Sequence, residues 1–164
     1  MVVLLVSLAV VGAGAAVEAR SQSAATPSQT DTAAAPGLVV LESSVDVAET
    51  LDRIEATLEE NGLVVVARVD HAANAAGVGE ELRPTQLLIF GNPALGTTLL
   101  QSTQTIGIDL PQKFLAWEDA TGQVYLAYND PAYLAERHAI GEQDETIEQV
   151  SDALAMLARG ATGP

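Results

Sequence analysis

The strongest constraint on this chain is a block of four β-type runs held between two amphipathic helical patterns. On the N-terminal side, DVAETLDRIEATLEENG carries Val47, Leu51, Ile54 and Leu58 at spacings of four, three and four, which is one face of a helix. Asp46 with Glu49 three residues on reads as a capping box, and Gly62 as the stop. On the C-terminal side, ETIEQVSDALAMLARG places Ile147, Val150, Leu154 and Leu157 on one face, with Asp144 as cap and Gly160 as stop. Between them lie LVVVARV (Leu63–Val69), TQLLIFG (Thr85–Gly91), KFLAWED and QVYLAYN, apolar and rich in strand-forming residues. The last two flank Ala120-Thr121-Gly122, a hairpin signal. In QVYLAYN, alternation sets Val124, Leu126 and Tyr128 on one face and Tyr125 and Ala127 on the other.

LVVLES (Leu38–Ser43) adds one strand before the first helix. The order strand, helix, four strands, helix predicts an α+β fold: an antiparallel sheet with helices packed on one face. Short helices are inserted. One is expected in the alanine-rich stretch from His71. A second opens at Asn92-Pro93 and a third at Asp130-Pro131. In both, the polar side chain caps free N–H groups, and proline lacks the N–H that would be orphaned.

The formal net charge is −15, from 22 acidic and 7 basic residues. That excludes nucleic acid, because a phosphate backbone needs a basic stripe. It also disfavours an anionic membrane surface. The chain has no cysteine, so disulfides, zinc–thiolate sites, iron–sulfur clusters and thiol catalysis are ruled out.

The first forty residues read differently. Val2–Val17 is an apolar run of sixteen residues, short for a bilayer span and suited to a secretory signal segment ending near Ala19. A basic n-region is missing before it. The expected location is periplasmic or secreted, without stable membrane association after cleavage; the alternative is anchoring by the uncleaved segment. Arg20–Gly37 is rich in Ser, Thr, Ala, Gln and Pro and reads as a linker. A single domain is expected over 38–160, with 161–164 as a tail.

Four segments resemble a known family: Asp70-His71, TQLLIFGNPALGT (Thr85–Thr97), GIDLPQKFLAWED (Gly107–Asp119) and YNDPAYLAERH (Tyr128–His138). They are similar, in this order, to the domain of unknown function 302 family, over about Leu38 to Gly160. The resemblance implies a fold of the TATA-binding-protein type, β-α-β4-α, and a homodimer. It implies no reaction and no agreed catalytic residues.

The candidate site residues are His71, Glu81, Tyr128, Tyr133, Arg137 and His138. In YNDPAYLAERH, the Asn-Asp-Pro start is explained by helix capping alone, and Tyr133 and Arg137 lie four apart, close enough to stack or hydrogen-bond. The functional alternative is a cleft lined by Tyr128, Tyr133, Arg137 and His138, in which the arginine holds a small anionic ligand. His71 and His138, the only histidines, are 67 residues apart, without metal-ligand spacing, so no metal is assigned and no cofactor is implied. His71 beside Asp70 suggests acid–base chemistry, although neighbours on a strand point to opposite faces. No GxSxG elbow or phosphate-cradling glycine loop occurs.

Three readings follow. The preferred one is an exported, dimeric, non-catalytic module that binds a small molecule or ion in a cleft between sheet and helices. The second is an acid–base enzyme using His71 or His138, with Glu81 and Arg137. The third is an interaction domain with an apolar face around Trp117. A cleft site predicts that His71 or His138 faces the cleft alongside Arg137.

Overall fold

The computed structural model describes residues 35–141 and 144–163. The expected signal segment, most of the linker and the side chain of Asp144 lie outside the described residues. Five strands form one antiparallel sheet: β1 (Leu38–Ser43), β2 (Val64–Asp70), β3 (Thr85–Gly91), β4 (Gln112–Glu118) and β5 (Val124–Asn129), in spatial order β1-β5-β4-β3-β2. Two long helices, α1 (Val47–Glu60) and α5 (Asp144–Thr162), cover one face. Three short helices are inserted: α2 (His71–Gly77), α3 (Pro93–Ser102) and α4 (Pro131–Arg137). A 3-10 turn spans Gln104–Ile108. The α+β, β-α-β4-α expectation holds.

The periodic residues do the work their spacing predicts. Val47, Leu51, Ile54 and Leu58 of α1 are buried, with Val150, Leu154 and Leu157 of α5. They meet Leu88, Phe90, Phe114, Ala116, Val124, Leu126 and Tyr128 from the sheet. Phe114 is the hub: Phe90 stacks on it at 5.2 Å and Tyr128 meets it edge-on at 5.4 Å. Ile147 is only partly buried and packs on a smaller cluster of Leu99, Ile106 and Ile140.

Two terminal signals resolve differently from their expectation. Asp46 does cap α1, accepting from the Glu49 N–H at 2.8 Å. The Glu49 carboxylate does not turn back to complete a capping box; it pairs with Arg53 at 2.8 Å. The last helix does not stop at Gly160 but runs to Thr162. The cause is tertiary: Ala161 and Thr162 are buried, and the Thr162 carbonyl accepts from the Ser44 N–H and hydroxyl at 3.1 and 3.0 Å. Docking on the end of β1 outweighs a glycine's cost of about 1 kcal/mol in a helix.

The opposite sheet face is not reached by α1 or α5. The strand register places Val40, Ala127, Leu115, Leu87 and Val69 side by side across all five strands. Trp117 stacks on Tyr125 beside this row, with ring centroids 5.4 Å apart. The hairpin between β4 and β5 turns through Gly122 at φ +85°, backbone geometry that favours glycine. Asp119 ties it: its carboxylate accepts from the Thr121 hydroxyl and N–H and from the Gln123 N–H at 2.7, 2.8 and 3.0 Å.

Candidate functional site

The six candidate residues do not converge. Arg137 and His138 are brought together at the end of α4, on Asp109. Arg137 Nη1 lies 3.3 Å from Asp109 Oδ1, and His138 Nε2 lies 2.6 Å from Asp109 Oδ2. The other imidazole nitrogen, Nδ1, lies 3.0 Å from the Thr105 hydroxyl. A carboxylate only accepts, so Nε2 carries a hydrogen and donates it to Asp109. Both nitrogens are engaged, and only 6% of the His138 side chain is exposed. These two bonds tie α4 to the 3-10 turn. Lys113 completes the surroundings by donating to the backbone carbonyls of Asp109 and Pro111 at 2.9 and 2.8 Å. Burial lowers its pKa, partly offset by Asp109.

The remaining candidates sit elsewhere. His71 opens α2, and its neighbour Asp70 is turned away from it: one oxygen caps α2 through the Ala73 N–H at 2.8 Å and the other accepts from Gln86 at 3.2 Å. Glu81 lies in a surface depression with Ala72, Ala76 and Arg83. Tyr128 is a core residue against Phe114, and burial raises the pKa of its hydroxyl. Tyr133 does not pair with Arg137. Its ring lies on the backbone of Gly37, where an added Cβ would come within 2.3 Å of the ring. Gly37 is held at φ +81° and accepts from the Asp130 N–H at 2.9 Å. Asn92 and Asp130 cap α3 and α4 as expected, receiving the N–H groups of Ala94 and Leu95 and of Ala132. Among the described residues no three His, Asp or Glu side chains are grouped to hold a metal ion.

A cavity of about 350 Å³ does lie between sheet and helices, and none of the six candidates lines it. One wall is α3, through Leu95, Gly96, Leu99 and Leu100. The other is α5, through Val150, Ala153, Leu154 and Leu157. Phe90 and Gln112 come from adjacent sheet strands, and Val64 and Val66 from edge strand β2. None of the lining residues is ionisable. Two of the polar ones are already turned to the backbone: Asn92 caps α3, and the Thr97 hydroxyl donates to the Pro93 carbonyl at 2.7 Å. Val64, Val66 and Leu100 are exposed at its mouth. Apart from Asn92, Thr97 and Gln112, the residues that form the cavity are small or apolar. The one sequence sign of it was Gly96, an isolated glycine in a helical pattern.

A five-stranded antiparallel sheet backed by two long helices, with an apolar cavity beside them, defines an α+β domain. Residues 39–157 match the domain of unknown function family DUF302, and the chain belongs to that family. A crystal structure titled as an uncharacterized conserved DUF302 protein from Bacillus stearothermophilus has the same fold. Its TM-score is 0.69 at 20% identity, covering 77% of this chain and 99% of that one. Two curated relatives are named fluoride-specific ion channel FluC 1, from Brucella suis and Brucella abortus. Each is 47% identical over 128 residues, 77% of this chain but 50% and 47% of the respective relative. The chain therefore spans about half the length of these relatives.

Proposed function

We propose that this chain is a non-catalytic, dimeric binding module whose ligand site is the cavity between the sheet and helices α3 and α5. The observation that carries the proposal is the cavity itself: about 350 Å³, within the roughly 300–1,000 Å³ of small-molecule sites, and apolar as such sites usually are. The acid–base alternative that joins His138 to Glu81 lacks support, because Glu81 lies in a separate surface depression. A second copy of the chain covers the open sheet face, supported by the apolar row from Val40 to Val69 and the Trp117–Tyr125 stack beside it. The apolar run Val2–Val17 supports export, with tethering by that run as the alternative.

The relatives' name adds a context. A channel must cross the membrane, and among the described residues no helix is long and apolar enough to do so. In the proposed arrangement the pore of those relatives lies in the half this chain does not span, and the DUF302 domain serves beside it. Native mass spectrometry of the full chain, drawn gently from a cellular extract and compared with a denatured sample, tests the module directly. A dimer carrying a defined extra mass is expected. A monomer would refute the sheet-face assignment, and an empty chain that also binds none of a panel of apolar probes would refute the cavity as a site. Liposomes loaded with fluoride test the context: the chain alone should release none, and release would place a pore within it.

A further inference from the structure

Resting on the cavity reading above, we infer that its ligand is an uncharged molecule with a single hydrocarbon chain and one hydrogen-bonding head, of the alcohol, ester or amide class. Three observations lead there. First, the chain is 18% charged, yet no Asp, Glu, Lys, Arg or His lines the cavity. A carboxylate or ammonium placed there would lose its water without gaining a partner, so a charged ligand is rejected. Second, Gln112 lines the cavity and is partly buried, and among the described residues no hydrogen bond engages its side-chain amide. It offers both a donor and an acceptor to a neutral head.

Third, Gly96 lies inside α3, where glycine is unfavourable relative to alanine. Packing does not require it: a Cβ built at Gly96 meets nothing within 4 Å, and its φ is not in the left-handed region. Gly91 and Gly107 line the same space. At Gly96 the missing side chain serves the volume of the cavity and no contact of the fold. An apolar space that opens at Val64, Val66 and Leu100 suits a hydrocarbon chain entering from the mouth.

The test uses the full chain, the neutral fluorophore N-phenyl-1-naphthylamine as probe, and displacement by straight-chain alcohols. The probe should bind at one site per chain. Affinity should rise about three- to fourfold per methylene from hexanol to decanol, the gain expected for burying each CH₂. Decanoate at pH 7 should compete at least tenfold more weakly than decanol. Gln112→Leu should weaken decanol and leave the probe unchanged. Gly96→Leu, and independently Ala153→Phe, should each weaken the probe at least tenfold while circular dichroism shows a folded chain.

Decanoate competing as well as decanol, or a flat alcohol series, would overturn the ligand class and leave the cavity in place. A probe bound equally by both cavity-filling variants would overturn the cavity as well. So would absence of probe binding, whether the space is closed or filled by the chain's own Val2–Val17.

Discussion

Replacing His138 with alanine measures how strongly it ties α4 to the 3-10 turn. The wild-type imidazole makes two hydrogen bonds. The one to Asp109, at 2.6 Å and nearly buried, involves a carboxylate, and such bonds contribute about 1.5–3 kcal/mol. The one to the Thr105 hydroxyl, at 3.0 Å, is neutral and exposed and contributes about 0.5 kcal/mol. Asp109 is not stranded by the change, because Arg137 remains 3.3 Å away. The large penalty of an unpaired buried charge is therefore avoided. The expected loss is about 2–3.5 kcal/mol. It should appear as a lower urea midpoint followed through Trp117 fluorescence, with the slope unchanged. Asp109→Asn should cost less, and the double variant should show a coupling of about 1.5 kcal/mol or more. A loss under about 0.5 kcal/mol with no coupling would refute the structural assignment.

Other perturbations are equally direct. Gly96→Ala should stabilise the chain by about 0.5–1 kcal/mol, seen as a higher melting temperature, because the new methyl meets open space. Arg68 donates to Gln86 at 2.9 and 2.7 Å, to the Ala48 carbonyl at 3.1 Å and to Asp52, joining β2 to α1. Arg68→Lys should lose about 1–2 kcal/mol in urea titration, because an ammonium cannot span that fork. The hydrogen bond from the Thr121 hydroxyl, followed by backbone N–H bonds from Thr121 and Gln123, holds the Asp119 carboxyl below its usual pKa. Its stabilisation of the hairpin is thus fully present above about pH 4 and is lost as pH falls through the depressed value. Carboxyl-carbon NMR should place that midpoint below an ordinary aspartate, and Asp119→Asn should remove the pH dependence. If the proposed sheet-face dimer forms, Leu115→Asp in the middle of that face should convert it to monomer in sedimentation without unfolding the chain.

The fold was legible because its signals are local and periodic. Leu51 or Leu126 is buried for a reason that its neighbours in sequence already state: spacing chooses the face, and one face must be covered. Caps at Asp46, Asn92 and Asp130 were legible for the same reason, since a cap and its N–H partner lie within three residues. The Asp109 cluster was not. Asp109 and His138 lie 29 residues apart, and each sits at the edge of a short element with no periodicity of its own. The Glu49 misreading has a related cause: both Asp46 and Arg53 are within its reach, and sequence does not rank the two. The cavity was hidden most deeply. A search for sites looks for reactive side chains, whereas this space is made by residues that withhold them, such as Gly96 and Ala153.

The same contrast shows how a chain of net charge −15 keeps apolar surfaces. The acids of α1, Glu49, Asp52, Glu55, Glu59 and Glu60, fall on positions its buried stripe leaves to solvent, and arginines meet three of them: Arg53 pairs with Glu49, and Arg68 with Asp52 and Glu55. The cavity lining holds no acid at all. The row from Val40 to Val69 crosses the open face without a charge. Repulsion between acidic outer faces opposes unspecific clustering. In the proposed reading, the cavity and the sheet face are the two apolar surfaces where substitution should change what the chain binds without changing its fold.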